Sequence, residues 1–138
     1  MQQATRFDAG PVTKCHVNFY HKTVPYRTPQ GKTVRVDAKI LPVVKWLNSI
    51  PKVETRFSCQ GTPPNIVREA IKARRHISMT AYVLFECRKQ QSLKNIVTAT
   101  KGFGTVEVHV MTGSDILRYY LRFNNVEALH LFKRSKIT

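Results

Sequence analysis

A chain of 138 residues with 42% hydrophobic side chains can bury one ordinary core and is too apolar for a disordered tail. Twenty-three Lys and Arg face eight Asp and Glu, a formal net charge of +15, so an anionic partner is expected: nucleic acid, a nucleotide or an acidic protein. No apolar run approaches the roughly 18 residues of a membrane-spanning helix, so no membrane partner is expected.

The opening MQQATRFDAGPV lacks the apolar segment of a secretory signal, and residues 1–12 read as a flexible arm on a single domain spanning 1–138. Residues 14–20 alternate, with Cys15, Val17 and Phe19 on one face, and predict a half-buried strand. Pro25, Pro29 and Gly31 then mark a loop, and Lys32–Val36 predicts a strand returning along the first as a long hairpin. The period changes at Ile40, Val43, Val44, Leu47 and Ile50, which share one helical face; Pro42 fits the first turn and Pro51 closes the helix.

Val53 to Cys59 predicts a strand that runs into the turn FSCQGTPPN. From there Asn65 is placed as an N-cap, with Ile66, Ala70, Ala73 and Ile77 as the apolar stripe of a second helix. The nearly unbroken apolar run TAYVLFEC, residues 80–87, predicts a strand covered on both faces. A short helix from Ser92 to Thr100 ends at Gly102. Two alternating strands follow, Thr105–Met111 and 116–123, joined as a hairpin through Gly113, Ser114 and Asp115. A last helix covers Asn125–Lys133. The expected architecture is α+β in the order β-β-α-β-α-β-α-β-β-α. It is a single, mostly antiparallel sheet of about six strands, with mixed pairing allowed and helices mainly on one face.

Two arrangements carry the chemistry. Arg68, Lys72 and Arg75 fall at i, i+4 and i+7, three cations on one helical face whose mutual repulsion a phosphate-bearing ligand would relieve. Arg118, Tyr120 and Arg122 share the outward face of the 116–123 strand, and Arg56 joins them if its strand lies alongside. Guanidinium groups meet phosphates bidentately and an aromatic ring stacks on a base. Substitution of Arg118 or Arg122 by alanine is accordingly expected to weaken binding more than Lys136→Ala.

The turn Ser58, Cys59, Gln60 and Gly61 is chiefly a strand-to-helix reversal that can border a pocket. Cys59 is a weak candidate nucleophile, because the histidines at 16, 21, 76, 109 and 130 are dispersed. Cys15, Cys59 and Cys87 form no CxxC pair, so no metal and no cofactor is expected, and the thiols suit the reduced cytoplasm, that of a host cell if the protein is viral. Glu86 and Glu107, on separate strands, are the nearest thing to a carboxylate pair, with no other support for hydrolytic chemistry.

Over about residues 53–110 the succession of Ser58-Cys59-x-Gly61, a helical insert, AYVLFEC and KGFGTVEVHV resembles the wybutosine-synthesising methyltransferase-like proteins of tRNA modification. Gln60 and Thr62 replace a serine and an arginine of that pattern. The same turn, after Trp46-Leu47-Asn48, is similar to one in small uncharacterised bacteriophage proteins. These resemblances imply a compact α+β domain whose turn borders a pocket, in a phage-encoded protein. The net charge of +15 and the two cationic patches give the expectation of a non-enzymatic nucleic-acid-binding protein, for RNA or DNA. The alternatives are sequestration of a small nucleotide, inhibition of a host protein, and RNA modification.

Overall fold

The computed structural model describes residues 22–61, 80–110 and 117–137. Six strands and three α-helices appear there: β1 Thr23–Arg27, β2 Thr33–Asp37, α1 Leu41–Asn48, β3 Val53–Cys59, β4 Tyr82–Cys87, α2 Gln90–Thr100, β5 Gly104–Val110, β6 Leu117–Phe123 and α3 Val126–Phe132. A π-helical turn, Lys133–Ile137, continues α3. The strand expected at 14–20, the helix expected after Asn65, and the Gly113–Asp115 turn lie outside the described residues.

The class is α+β, but the single six-stranded sheet is not what forms. β1 and β2 make a two-stranded sheet, while β3, β4, β6 and β5, in that spatial order, make a four-stranded one. Every pairing is antiparallel. The first hairpin lies in a segment that its prolines mark as loop. Its closing bonds, Thr28 N to Lys32 O and Ala38 N to Lys22 O at 2.8 Å each, fix which pairs exchange ladder bonds. By alternation, Pro25 opposite Arg35 is a pair that exchanges none, so the missing N–H of Pro25 leaves the ladder intact. Gly31, at φ +87°, supplies the left-handed residue of the turn.

The core lies on one face of the larger sheet. Val83 and Phe85 of β4, and Tyr119, Leu121 and Phe123 of β6, meet Val43, Val44 and Leu47 of α1, Ile96 of α2, and Leu129 and Phe132 of α3. Val34 and Val36 of β2 enter the same cluster. Phe132 is its aromatic hub, with ring centroids 5.2 Å from Trp46, 5.4 Å from Phe123 and 5.5 Å from Phe103, separations typical of favourable ring pairs. Asn125 caps α3 by accepting from Ala128 N at 2.7 Å. Asn48, at the end of α1, bonds Tyr26 Oη, Thr55 Oγ1 and Thr55 N, tying both sheets to the helix.

β4 is internal to its sheet, and Tyr82 to Glu86 are all buried, as the apolar run TAYVLFEC predicts. β3 departs from simple alternation. A bulge between Thr55 and Phe57 shifts the register, so Val53 and Thr55 sit opposite residues of the core face while Phe57 and Cys59 sit opposite Leu84 and Tyr82 on the other face. The bulge also places Ser58 opposite Val83, where its hydroxyl is buried and makes no hydrogen bond.

Candidate nucleic-acid interface

The face of the larger sheet opposite the core, which none of the described helices covers, is laid out in three rows by the register. Glu54, Glu86, Arg118 and His109 cross β3, β4, β6 and β5 in the first. Phe57, Leu84, Tyr120 and Glu107 form the second, and Cys59, Tyr82, Arg122 and Thr105 the third. The side toward β3 is closed, with Cys59, Tyr82 and Leu84 buried. The side toward β5 is open: Thr105 and Glu107 are exposed and His109, Tyr120 and Arg122 are half-buried.

Glu86 organises the first row. Its side chain is 1% exposed and accepts from Arg56 Nε at 3.0 Å, Arg118 Nε at 3.1 Å and an Arg88 terminal nitrogen at 3.3 Å. Glu54 lies directly opposite Glu86, a like-charge pair that Arg56 bridges by also approaching Glu54 at 3.9 Å. The bulge at Arg56 is what lets β3 deliver this guanidinium beside Phe57 on one face. The strand of Arg56 does not lie alongside that of Arg118, because β4 separates β3 from β6; the two guanidinium groups meet across β4 on Glu86, and both are engaged by this carboxylate of their own chain.

Arg122 is placed differently. Its guanidinium carbon lies 5.9 Å from the Tyr82 ring centroid and 5.4 Å from that of Tyr120, within cation–π range of both. One terminal nitrogen donates to Thr80 Oγ1 at 3.3 Å, and Glu107 lies 4.0 Å from its Nε. Tyr120 meets Tyr82 edge-on at 5.7 Å and His109 edge-on at 5.1 Å. The strip His109–Tyr120–Arg122 is thus a run of ring, ring and guanidinium joined by edge-to-face and cation–π contacts. Its side chains are held by neighbours and partly open to solvent.

Among the described residues, four arginines (56, 88, 118 and 122) meet three glutamates (54, 86 and 107) on this face, a surplus of only one positive charge out of the chain's +15. Other described cations gather elsewhere. One such place is where α3 meets the end of β2: Lys133 Nζ donates to Lys39 O at 2.8 Å. Burial, then Lys133 and Lys39, hold the His130 imidazole below its ordinary value. Burial and Lys39 likewise lower Lys133. As pH falls, the unfolded chain takes up the His130 proton first, so this group's effect is a loss of stability once pH drops below about 6.5. An NMR titration should place the His130 midpoint below that value, and Lys39→Gln should move it upward; a midpoint at or above about 6.5 in the parent would contradict this.

Arg68, Lys72 and Arg75 lie outside the described residues. Of the turn, Ser58 to Gly61 are described and all are buried. Gln60 N donates to Asp37 Oδ2 at 3.1 Å and Gln60 Oε1 accepts from Lys39 N at 3.1 Å, a reciprocal clasp between the end of β3 and the end of β2. Cys59 Sγ accepts from Gly61 N at 3.5 Å, which gives the thiol a packing and bonding role away from the surface. Gly61 has φ +81°, and a Cβ there would stand 2.8 Å from Ala81 N. Gly61→Ala is therefore expected to destabilise the fold by about 2–4 kcal/mol, read as a shift in the urea midpoint. A midpoint unchanged from the parent would show that the turn tolerates a side chain.

No family description matches the chain, and neither the curated proteins nor the solved structures contain a match to it. What the surface does is therefore read from its own chemistry. Among the described residues no group of three or more His, Cys, Asp or Glu converges as a metal site, and no helix is long and apolar enough to cross a membrane. β6 lies between β4 and β5, so Glu86 and Glu107 are not on adjacent strands, and each has an arginine as its ionic neighbour. Arg88 and Glu86 are the site members that residue spacing underplays. A single acid inside an apolar strand, beside strands that carry arginines, was the available signal.

Proposed function

We propose that the chain is a small basic nucleic-acid-binding protein that takes single-stranded RNA or DNA along the open half of its sheet. The observation that carries this reading is Arg122 seated against Tyr82 and Tyr120, with His109 on the far edge of Tyr120. Every base has a π-face, so a preorganised strip of rings and guanidinium binds unpaired bases with little regard to sequence. A duplex hides those faces.

The near-neutral local charge assigns the long-range attraction to the whole +15 surface and the close contact to stacking. Two consequences follow. Binding of single strands should exceed binding of duplex of equal length, and affinity should fall steeply between about 50 and 200 mM salt. Fluorescence polarisation with labelled single-stranded RNA, single-stranded DNA and duplex checks both. Affinity weaker than micromolar for every single strand at low salt would overturn the reading. Preference for one mononucleotide over all the polymers would replace it with nucleotide capture.

A further inference from the structure

β5 is an outer strand of the larger sheet, and among the described residues nothing pairs with its free edge. The bonds at its start fix which way its backbone groups point. Asn124 N donates to Phe103 O at 2.9 Å, one step beyond the Gly104–Phe123 pair of the register. By alternation Thr105, Glu107 and His109 exchange bonds with β6, while Val106, Val108 and Val110 turn their N–H and C=O groups away from it. Three alternate residues therefore offer donors and acceptors to a further strand.

Such edges are ordinarily blunted by lysine, proline or a bulge. The opposite edge, β3, carries a bulge and the Glu54–Arg56 pair. β5 reads GTVEVHV, with no Lys, Arg or Pro and an unbroken register. Val108, in the middle of the outward set, is 63% exposed, the most open of the large apolar side chains among the described residues.

The order of charges along β5 suits its own copy. In a two-fold antiparallel pairing, outward residues must meet outward residues, which leaves few alignments. Centring on Glu107 sets carboxylate directly against carboxylate, a destabilising pair. Centring on Val106 draws Gly104 into the ladder, where it has no side chain to pack. Centring on Val108 sets Glu107 opposite His109 on both sides of the axis and Val106 opposite Val110, so a carboxylate faces an imidazole twice. Arg122 holds Glu107 only at 4.0 Å, which leaves that carboxylate able to accept from a second partner.

We propose that β5 is the pairing edge for a second copy of this chain, aligned about Val108, so that two four-stranded sheets become one of eight strands. The open halves of the two sheets then adjoin on one face. The pairing stands whether or not that face binds nucleic acid.

Sedimentation equilibrium from about 10 µM to about 1 mM, in about 0.3 M potassium chloride to screen the repulsion of two +15 chains, tests it. Monomer should give way to dimer across that range. Val108→Pro removes an outward N–H and no bond to β6, so it should raise the dimer Kd about tenfold or more with the fold intact. Val108→Lys sets two ammonium groups against each other at the axis and should act likewise without altering the backbone. Isotope-filtered NOEs in a mixed-label sample should join Glu107 Hα of one copy to His109 Hα of the other. A monomer at every concentration, a dimer indifferent to both variants, or NOEs between copies that bypass β5 would overturn the proposal.

Discussion

Glu86→Gln is expected to lower the unfolding free energy by about 2–3 kcal/mol while tightening the binding of polyanions. The carboxylate is 1% exposed and accepts from three guanidinium groups, so its neutralisation leaves cations without their counterion. Removing one member of a fully buried pair costs about 3–5 kcal/mol; the lower figure here reflects side-chain exposures of 17% for Arg118, 31% for Arg56 and 60% for Arg88, which let water take up part of the charge. Urea unfolding measures the loss. The gain in binding follows from the same chemistry, because guanidiniums released from Glu86 become available to phosphate. An affinity for single strands that falls in step with stability would show that the cluster only supports the fold.

Arg122→Ala and Tyr120→Leu are each expected to weaken single-strand binding by about tenfold, since a base–aromatic stack is worth about 1–3 kcal/mol. Lys136→Ala, in the exposed C-terminal turn, should change affinity less than threefold and reduce only the salt slope. Tyr120→Leu preserves an apolar contact with Tyr82, so stability should fall less than affinity. The pair Arg122→Ala and Arg122→Lys separates two contributions. Lysine keeps the charge but loses the planar group that rests on the rings, so it should recover little if stacking dominates. Full recovery by lysine would assign Arg122 to phosphate attraction alone.

The parts of the fold that alternation and helical period describe well were legible. Tyr119, Leu121 and Phe123 enter the core while Arg118, Tyr120 and Arg122 occupy the other face, as the strict two-residue period of 117–123 requires. The all-apolar character of 82–85 likewise signals an internal strand. The rest was hidden for specific reasons. Pro25 argues against a strand unless its missing N–H falls at an outward position, and only the pairing with Arg35 decides that. The bulge at Arg56 is invisible to periodicity, because Val53, Thr55, Phe57 and Cys59 read as one face until the register slips. The gathering of three arginines on Glu86 depends on that slip and on a strand order, β3-β4-β6-β5, that places β6 beside β4 ahead of β5. Chain order alone gives no such neighbour relation. Gln60 looked like a substituted pattern residue; its clasp with Asp37 and Lys39 shows that it joins the two sheets.

Amide and side-chain NMR mapping with an unlabelled single-stranded oligonucleotide tests the interface most directly. The largest perturbations are predicted at Thr105, His109, Tyr120 and Arg122, with smaller ones at Arg118 and Arg56. Perturbations confined to the Lys39–Lys133 end, or scattered over lysines with the sheet face silent, would contradict it.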